Sequence, residues 1–167
     1  MKDRTNDSPN DTSLAQKLAM LFGITFLLAG IGGFIPGITT DLYDGLEFAG
    51  NDGSSELLGL FKVSVLHNIV HALFGIGILA AKRHASSVQY LLYSGIAYVA
   101  LFLIGIFNAG DWVPINNNDD WLHLGLLLGL LGAWAASKGA EDPDANRGRR
   151  LEMDRDDRTT GTTSGTV

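Results

Sequence analysis

The sequence predicts an all-α fold: an integral membrane four-helix bundle with disordered cytoplasmic tails. The prediction rests on two observations. Hydrophobic residues make up 46% of the 167 residues, and the charged residues concentrate near the two ends of the chain. Between those ends, four stretches without formal charge approach the roughly 20 residues that a helix needs to cross a bilayer. These stretches are residues 18–38, 63–81, 88–109 and 121–137.

Each stretch is better explained as a membrane span than as a soluble helix. A soluble four-helix protein needs a charged stripe along each helix, and these stretches have none. The first stretch is too long for the core of a signal peptide and follows an acidic leader, so we expect it to be retained. The fourth is short, but Trp121 and Trp134 near its ends are typical of anchors at a membrane interface.

The distribution of basic residues predicts the orientation. Of the 12 lysines and arginines, only Lys62 lies in the connections at 39–62 and 110–120. The positive-inside rule therefore places both termini in the cytoplasm and these connections outside the cell membrane. Residues 1–17 and 138–167 are polar and rich in aspartate, so we expect disordered tails flanking a membrane domain at 18–137.

Composition excludes several classes of function. The net charge of −6 and the lack of a basic stripe disfavour nucleic-acid binding. The absence of cysteine excludes thiolate metal sites and cysteine nucleophiles. With no recognisable catalytic motif, we favour a non-enzymatic structural or partner-binding membrane protein. We expect the protein to lie in the lipid bilayer and to bind either a second copy of the chain or another membrane protein.

A polar face on the second span is the candidate site. Helical spacing places Ser64, His67, Asn68 and His71 on one side, and this side must face the interior. The third span adds Tyr98 at similar depth and Asn108 near the same face, and a hydrogen bond between Tyr98 and His71 is plausible. The favoured interpretation is that these groups lock the helices together.

A metal- or haem-binding protein is the alternative. His67 and His71 have good ligand spacing, and His123 is the candidate third ligand near the outer leaflet. Haem would use His71 and a histidine of the fourth span. A protease is disfavoured because Asn68 stands where the glutamate base is needed. If the glycines at 125, 129 and 132 mark the closest helix contact, His123 points away from it.

The loop before the fourth span predicts a helix cap. Asn118 or Asp119 is the expected N-cap, and the acidic charge complements the helix dipole. In the alternative, Asp119 and Asp120 join His123 as oxygen ligands of a metal.

Two stretches of the sequence resemble a known family. GLFKVSVLHNIVHALFG (59–75) and VPINNNDDWLHLGLLLG (113–129) are similar to the signature stretches of a prokaryotic four-helix membrane family, domain of unknown function 4383. The resemblance covers about residues 18–137, and Lys62 departs from the polar uncharged residue expected at its position. The resemblance implies that the chain is a member of this family and crosses the membrane four times. It implies no particular reaction. The matching residues are Gly59, Leu60, Phe61, Leu66, His67, Asn68, Val70, His71, Gly75, Pro114, Asn116, Asp119, Trp121, Leu122, His123 and Gly125.

Overall fold

The computed structural model describes residues 12–107, 113–139 and 142–161, and most of these residues are helical. The helices are α1 (Leu14–Gly32), α2 (Leu42–Gly45), α3 (Val65–Phe74), α4 (Gly77–Ala80), α5 (His84–Ile106), α6 (Asn117–Ser137) and α7 (Pro143–Gly161). The strands are β1 (Thr39–Thr40), β2 (Glu56–Leu57) and β3 (Phe61–Lys62), which form an antiparallel sheet in the order β1-β2-β3.

All four predicted stretches coincide, in large part, with helical segments of the structure. These are α1, the pair α3 and α4, α5, and α6. Of the described helices, α1 and α5 are long and apolar enough to cross a membrane, which suggests a membrane location. Helix α1 packs against α3, α4 and α5, while α5 packs along α6. The core between them contains Phe26, Leu91, Tyr98 and Leu130.

Helix α1 begins earlier than the sequence analysis expected. The predicted tail at 1–17 is wrong for residues 14–17, which are helical, while residues 1–11 lie outside the described residues. The cause is a capping box: the Ser13 side chain accepts from the Gln16 backbone, and the Gln16 side chain accepts from the Ser13 backbone. The helix also ends at Gly32, six residues before the predicted boundary at 38.

The second predicted span is interrupted between α3 and α4. Gly75 is the C-cap of α3. Helix α4 is a single turn that begins two residues later, at Gly77. Glycine at two positions permits the close packing of α4. A Cβ added to Gly23 would lie 2.5 Å from the backbone nitrogen of Ile78, and one added to Gly77 would lie 2.5 Å from the Tyr90 ring.

The connection at 39–62 is folded, which the all-α prediction missed. Its three strands have two residues each, too short to produce an alternating hydrophobic pattern in the sequence. The sheet is joined to α6, because the backbone N–H of Lys62 donates to the Asp119 carboxylate at 3.0 Å. Leu60 adds a second link, since its carbonyl accepts from the side-chain amides of Asn116 and Asn118.

The predicted disorder of the C-terminal tail at 138–167 is wrong for α7. Pro143 suits the first position of a helix because it needs no hydrogen-bonded N–H there. Arg150, Asp154 and Arg158 follow at four-residue spacing, which places opposite charges on adjacent turns. The low hydrophobicity of the tail predicted disorder, although the charge pairs at four-residue spacing favour a helix. Residues 162–167 lie outside the described residues.

Candidate functional site

A cavity of about 370 Å³ lies between α3, α5 and α6, near the end of the molecule that carries the sheet. Four side chains that the sequence analysis singled out line it together: His67, His71, Tyr98 and His123. The rest of the lining is mostly apolar. We call this space the histidine cavity.

Helix α3 supplies two imidazoles from adjacent turns. Ser64 caps the helix by accepting a hydrogen bond from the backbone N–H of His67 at 3.2 Å. The rings of His67 and His71 are stacked, with centroids 4.4 Å apart and planes at 28°. The four-residue spacing therefore brings the two rings face to face along one side of α3.

Tyr98 is the centre of an aromatic cluster beside the cavity. It is 1% exposed, and its ring stacks on Phe26 with centroids 5.4 Å apart. The ring of His123 lies 5.5 Å from it. The hydroxyl oxygen is 3.5 Å from Nε2 of His71, the pair that the sequence suggested. That separation is long for a hydrogen bond, so the Tyr98 hydroxyl is only weakly engaged.

His123 points into the interior, against the expectation from the glycines of α6. It is 2% exposed, and its Nδ1 atom is buried without a hydrogen-bond partner among the described residues. A Cβ added to Gly125 or Gly132 would meet no atom within 4 Å. These two glycines do not mark a tight helix contact, so the condition under which His123 would point away from the helix contact is not met.

The metal interpretation of His67, His71 and His123 requires three ligand side chains close together. Within residues 12–107, 113–139 and 142–161, no three histidine, aspartate or glutamate side chains are grouped so that they could hold a metal ion. Metal or haem binding by these histidines stays a prediction.

The predicted polar face divides into two sets with different surroundings. Asn68 is 1% exposed and donates from Nδ2 to the carbonyl of Gly33 at 2.9 Å, so it joins α3 to the end of α1. Ser64 is used as the cap of α3. His67 and His71 instead line the histidine cavity. Asn108 lies outside the described residues.

The cap of α6 is Asn116, two residues before the nearer of the predicted candidates. Its side chain accepts from the backbone N–H groups of Asn118 and Asp119, and Asp119 accepts in return from the backbone of Asn116. The three-residue spacing from Asn116 to Asp119 is a capping-box signal already present in the sequence. Asn118 contributes its side chain to Leu60.

Asp119 is a buried carboxylate outside the predicted spans. Burial raises the pKa of Asp119 to about 6, although the hydrogen bonds from the backbones of Asn116 and Lys62 act in the opposite direction. The nearby carboxylates of Asp120 and Glu56 raise the pKa further. The charge of Asp119 is therefore sensitive to mildly acidic pH.

Comparison with known proteins gives one family. No curated protein and no solved structure matches the chain. The model of the family described as a domain of unknown function (DUF4383) matches residues 16–136, which include the helices from α1 to nearly the end of α6. Since this match covers well over half of the sequence, the chain belongs to the DUF4383 family.

Proposed function

We propose that the chain is a four-span integral membrane protein with cytoplasmic termini, and that it acts as a structural or partner-binding component of the membrane. The observation that carries the proposal is the distribution of side chains, which is inverted relative to a soluble protein. Large apolar residues face outward and many polar residues face inward.

The outward residues come from all four helical segments. Leu28 of α1 is 64% exposed, and Leu73 of α3 is 67% exposed. Leu21, Ile76, Leu79, Ile96 and Leu128 are exposed as well. In water such a surface favours aggregation, whereas a bilayer covers it with lipid tails.

The lengths of the helices are compatible with four spans. The uncharged part of α6, residues 121–137, extends about 25 Å, slightly less than the thickness of the hydrocarbon core. The segment Val65–Ala80 is shorter, and a bilayer accommodates a short span by local thinning at modest cost.

The inward polar residues support a structural role, because they join helices to one another. Gln16 Nε2 donates to the carbonyl of Ala81 at 3.1 Å, which links α1 to the end of α4. The Tyr90 hydroxyl donates to the carbonyl of Phe74 at 2.9 Å, which links α5 to the end of α3. Together with Asn68, these groups use backbone carbonyls left free at helix ends.

The folded connection at 39–62 is the proposed partner surface. It exposes Tyr43, Phe48 and Leu58 beyond the ends of the spans. Acidic residues surround them, including Asp44 and Glu47. Exposed aromatic groups with a polar surround are typical of protein interaction sites.

Single-cysteine labelling tests the topology directly, because the chain contains no cysteine. Asp52→Cys lies in the connection at 39–62, and Lys82→Cys lies between α4 and α5; both positions are exposed. A membrane-impermeant maleimide applied to intact cells is expected to label Asp52→Cys, and to label Lys82→Cys only after permeabilisation. Equal labelling of the two variants in intact cells would contradict the four-span topology.

A second experiment tests the partner surface. A photo-crosslinking residue at Tyr43 is expected to capture one defined membrane protein or a second copy of the chain. The matched position is Leu79, which is exposed on the lipid-facing side of α4. The same product from both positions would show that contact at Tyr43 is not specific.

A further inference from the structure

We propose that the histidine cavity binds the ring of an uncharged, lipid-soluble quinone, whose apolar tail lies in the groove between α4 and α5. The groove has a volume of about 630 Å³ and is bordered by Ile76, Leu79 and Tyr93. Phe74 lines both the cavity and the groove, so the two spaces adjoin along one seam of the protein.

The size of the cavity fits a compact ring system. A cavity of about 150 Å³ holds one benzene molecule, and the histidine cavity of about 370 Å³ is more than twice as large. It therefore has room for one or two fused rings with small substituents. The neighbouring aromatic rings favour a flat occupant, since Tyr98 and Phe74 are packed edge to face with centroids 5.8 Å apart.

The polar groups of the cavity favour an occupant with carbonyl oxygens. Nδ1 of His123 is buried without a partner among the described residues. The Tyr98 hydroxyl reaches only to 3.5 Å from His71. A buried polar group without a hydrogen bond costs about 1–3 kcal/mol in proteins. A ring oxygen that accepts from the Tyr98 hydroxyl and from an imidazole N–H removes this cost.

The lining also indicates that the occupant is uncharged. The described residues around the cavity include no lysine, arginine, aspartate or glutamate. A fatty acid or a phosphate would bring a charge into the cavity without a counter-ion, at a high desolvation cost. A quinone supplies two acceptor oxygens and no charge.

The mouth of the cavity suits a ligand dissolved in the bilayer. Ala100 lines the cavity and is exposed on α5, while Val70 lines it from α3 and is half-buried. In the proposed topology this side faces lipid. The apolar groove continues from Phe74 toward α4, where an attached tail keeps contact with apolar side chains.

Binding of two probes with the same rings tests the role of the oxygens. The full chain, purified in detergent, is titrated with 1,4-naphthoquinone and with naphthalene, and bound probe is measured by equilibrium dialysis. The absence of cysteine removes the thiol adducts that quinones form. Each affinity is divided by the partition of the same probe into protein-free micelles, which removes the difference in hydrophobicity between the probes. On this scale we expect the quinone to bind at least about tenfold more tightly than naphthalene, the effect of one good hydrogen bond in an apolar site. Equal values for the two probes would show an apolar void only and would overturn the proposal.

Variants locate the bound probe. Tyr98→Phe keeps the ring and removes the hydroxyl, and His123→Phe replaces the imidazole with a larger apolar ring; each is expected to weaken quinone binding about tenfold. Thr25→Val is the control, because it removes a hydroxyl on an exposed position of α1, outside the cavity and the groove. Unchanged binding in both Tyr98→Phe and His123→Phe would contradict the assigned contacts.

A blocked mouth gives an independent test that spares the polar groups. Ala100→Trp fills the exposed side of the cavity, and we expect it to abolish binding of both probes. Ala136→Trp, on an exposed position of α6, is the control. Both proteins are first shown to have wild-type helicity by circular dichroism. Wild-type binding by Ala100→Trp would place the quinone elsewhere and overturn the proposal.

Discussion

The two ends of the helices use similar residues in different ways. At the end where α4 meets α5, Nδ1 of His84 lies 2.9 Å from the Ser13 hydroxyl, and Gln16 bonds to Ala81. At the opposite end, Nδ1 of His123 is buried without a partner among the described residues, and His123 is one of the residues that line the histidine cavity. A buried histidine therefore contributes to packing at one end and leaves hydrogen-bonding capacity free at the other.

Backbone packing differs between two sides of α3 and α4. Helix α1 approaches both helices so closely that a Cβ added to Gly23 would lie 2.5 Å from the nitrogen of Ile78, and one added to Gly30 would lie 2.5 Å from the nitrogen of Ala72. The histidine cavity lies on the side of α3 that faces α5 and α6. The tightly packed side anchors the helices, and the less dense side leaves space for a ligand.

The largest expected effect comes from disrupting the close packing of α1 against α4. Gly23→Ala places a Cβ 2.5 Å from the backbone of Ile78, so α1 and α4 must separate, and we expect a loss of about 1–3 kcal/mol in the free energy of unfolding. Gly132→Ala is the matched control, since its Cβ meets nothing within 4 Å. The control should be neutral or slightly stabilising because alanine favours helix. Thermal unfolding in detergent measures both, and equal melting temperatures would contradict the close approach.

The next effect concerns the polar link between α3 and the end of α1. Asn68→Ala removes the hydrogen bond to the carbonyl of Gly33 and leaves that buried acceptor unpaired. We expect a loss of about 1–3 kcal/mol in stability. Asn51→Ala, at an exposed position of the connection at 39–62, is expected to lie within about 0.5 kcal/mol of the wild type. A small effect at Asn68 would mean that the junction of α3 with α1 depends on apolar packing instead.

A pH titration tests the junction between the sheet and α6. The pKa of Asp119 rises from 3.8 to about 6 on burial, so the folded chain binds more protons than the unfolded chain between these values. The stabilising contribution of Asp119 is present below about pH 4 and is lost as the pH rises through about 6. Thermal unfolding of the wild type and of Asp119→Asn between pH 4.5 and 7.5 isolates this contribution: relative to Asp119→Asn, the wild type should lose stability as the pH rises. A parallel slope in Asp119→Asn would assign the pH dependence to other groups.

Much of the helical fold could be predicted from the sequence, because the absence of charge over long stretches depends on local composition alone. The break at Gly75 could not, since it depends on contacts between α4 and residues far away in the chain, such as Gly23. The strands were missed because each has two residues.

The candidate site was predictable in part. Helical spacing was enough to place His67 and His71 on one side of α3, where the structure has them stacked. The position of His123 required the packing of α6 against α5, and Gly125 and Gly132 gave no guide to it because neither marks a close helix contact. The cavity forms only where three helices pack together, so the periodic pattern of a single helix cannot predict it.

The smallest expected effect sharpens the comparison of the two buried histidines. His84→Phe removes the contact with Ser13, and we expect a loss of about 1 kcal/mol in stability. His123→Phe removes a nitrogen that has no partner, and the adjoining cavity accepts the larger ring. We therefore expect His123→Phe to change the melting temperature little or to raise it. If the two variants lose the same stability in detergent, His123 contributes to packing as His84 does. If only His84→Phe loses stability, the nitrogen of His123 is retained for something other than the fold.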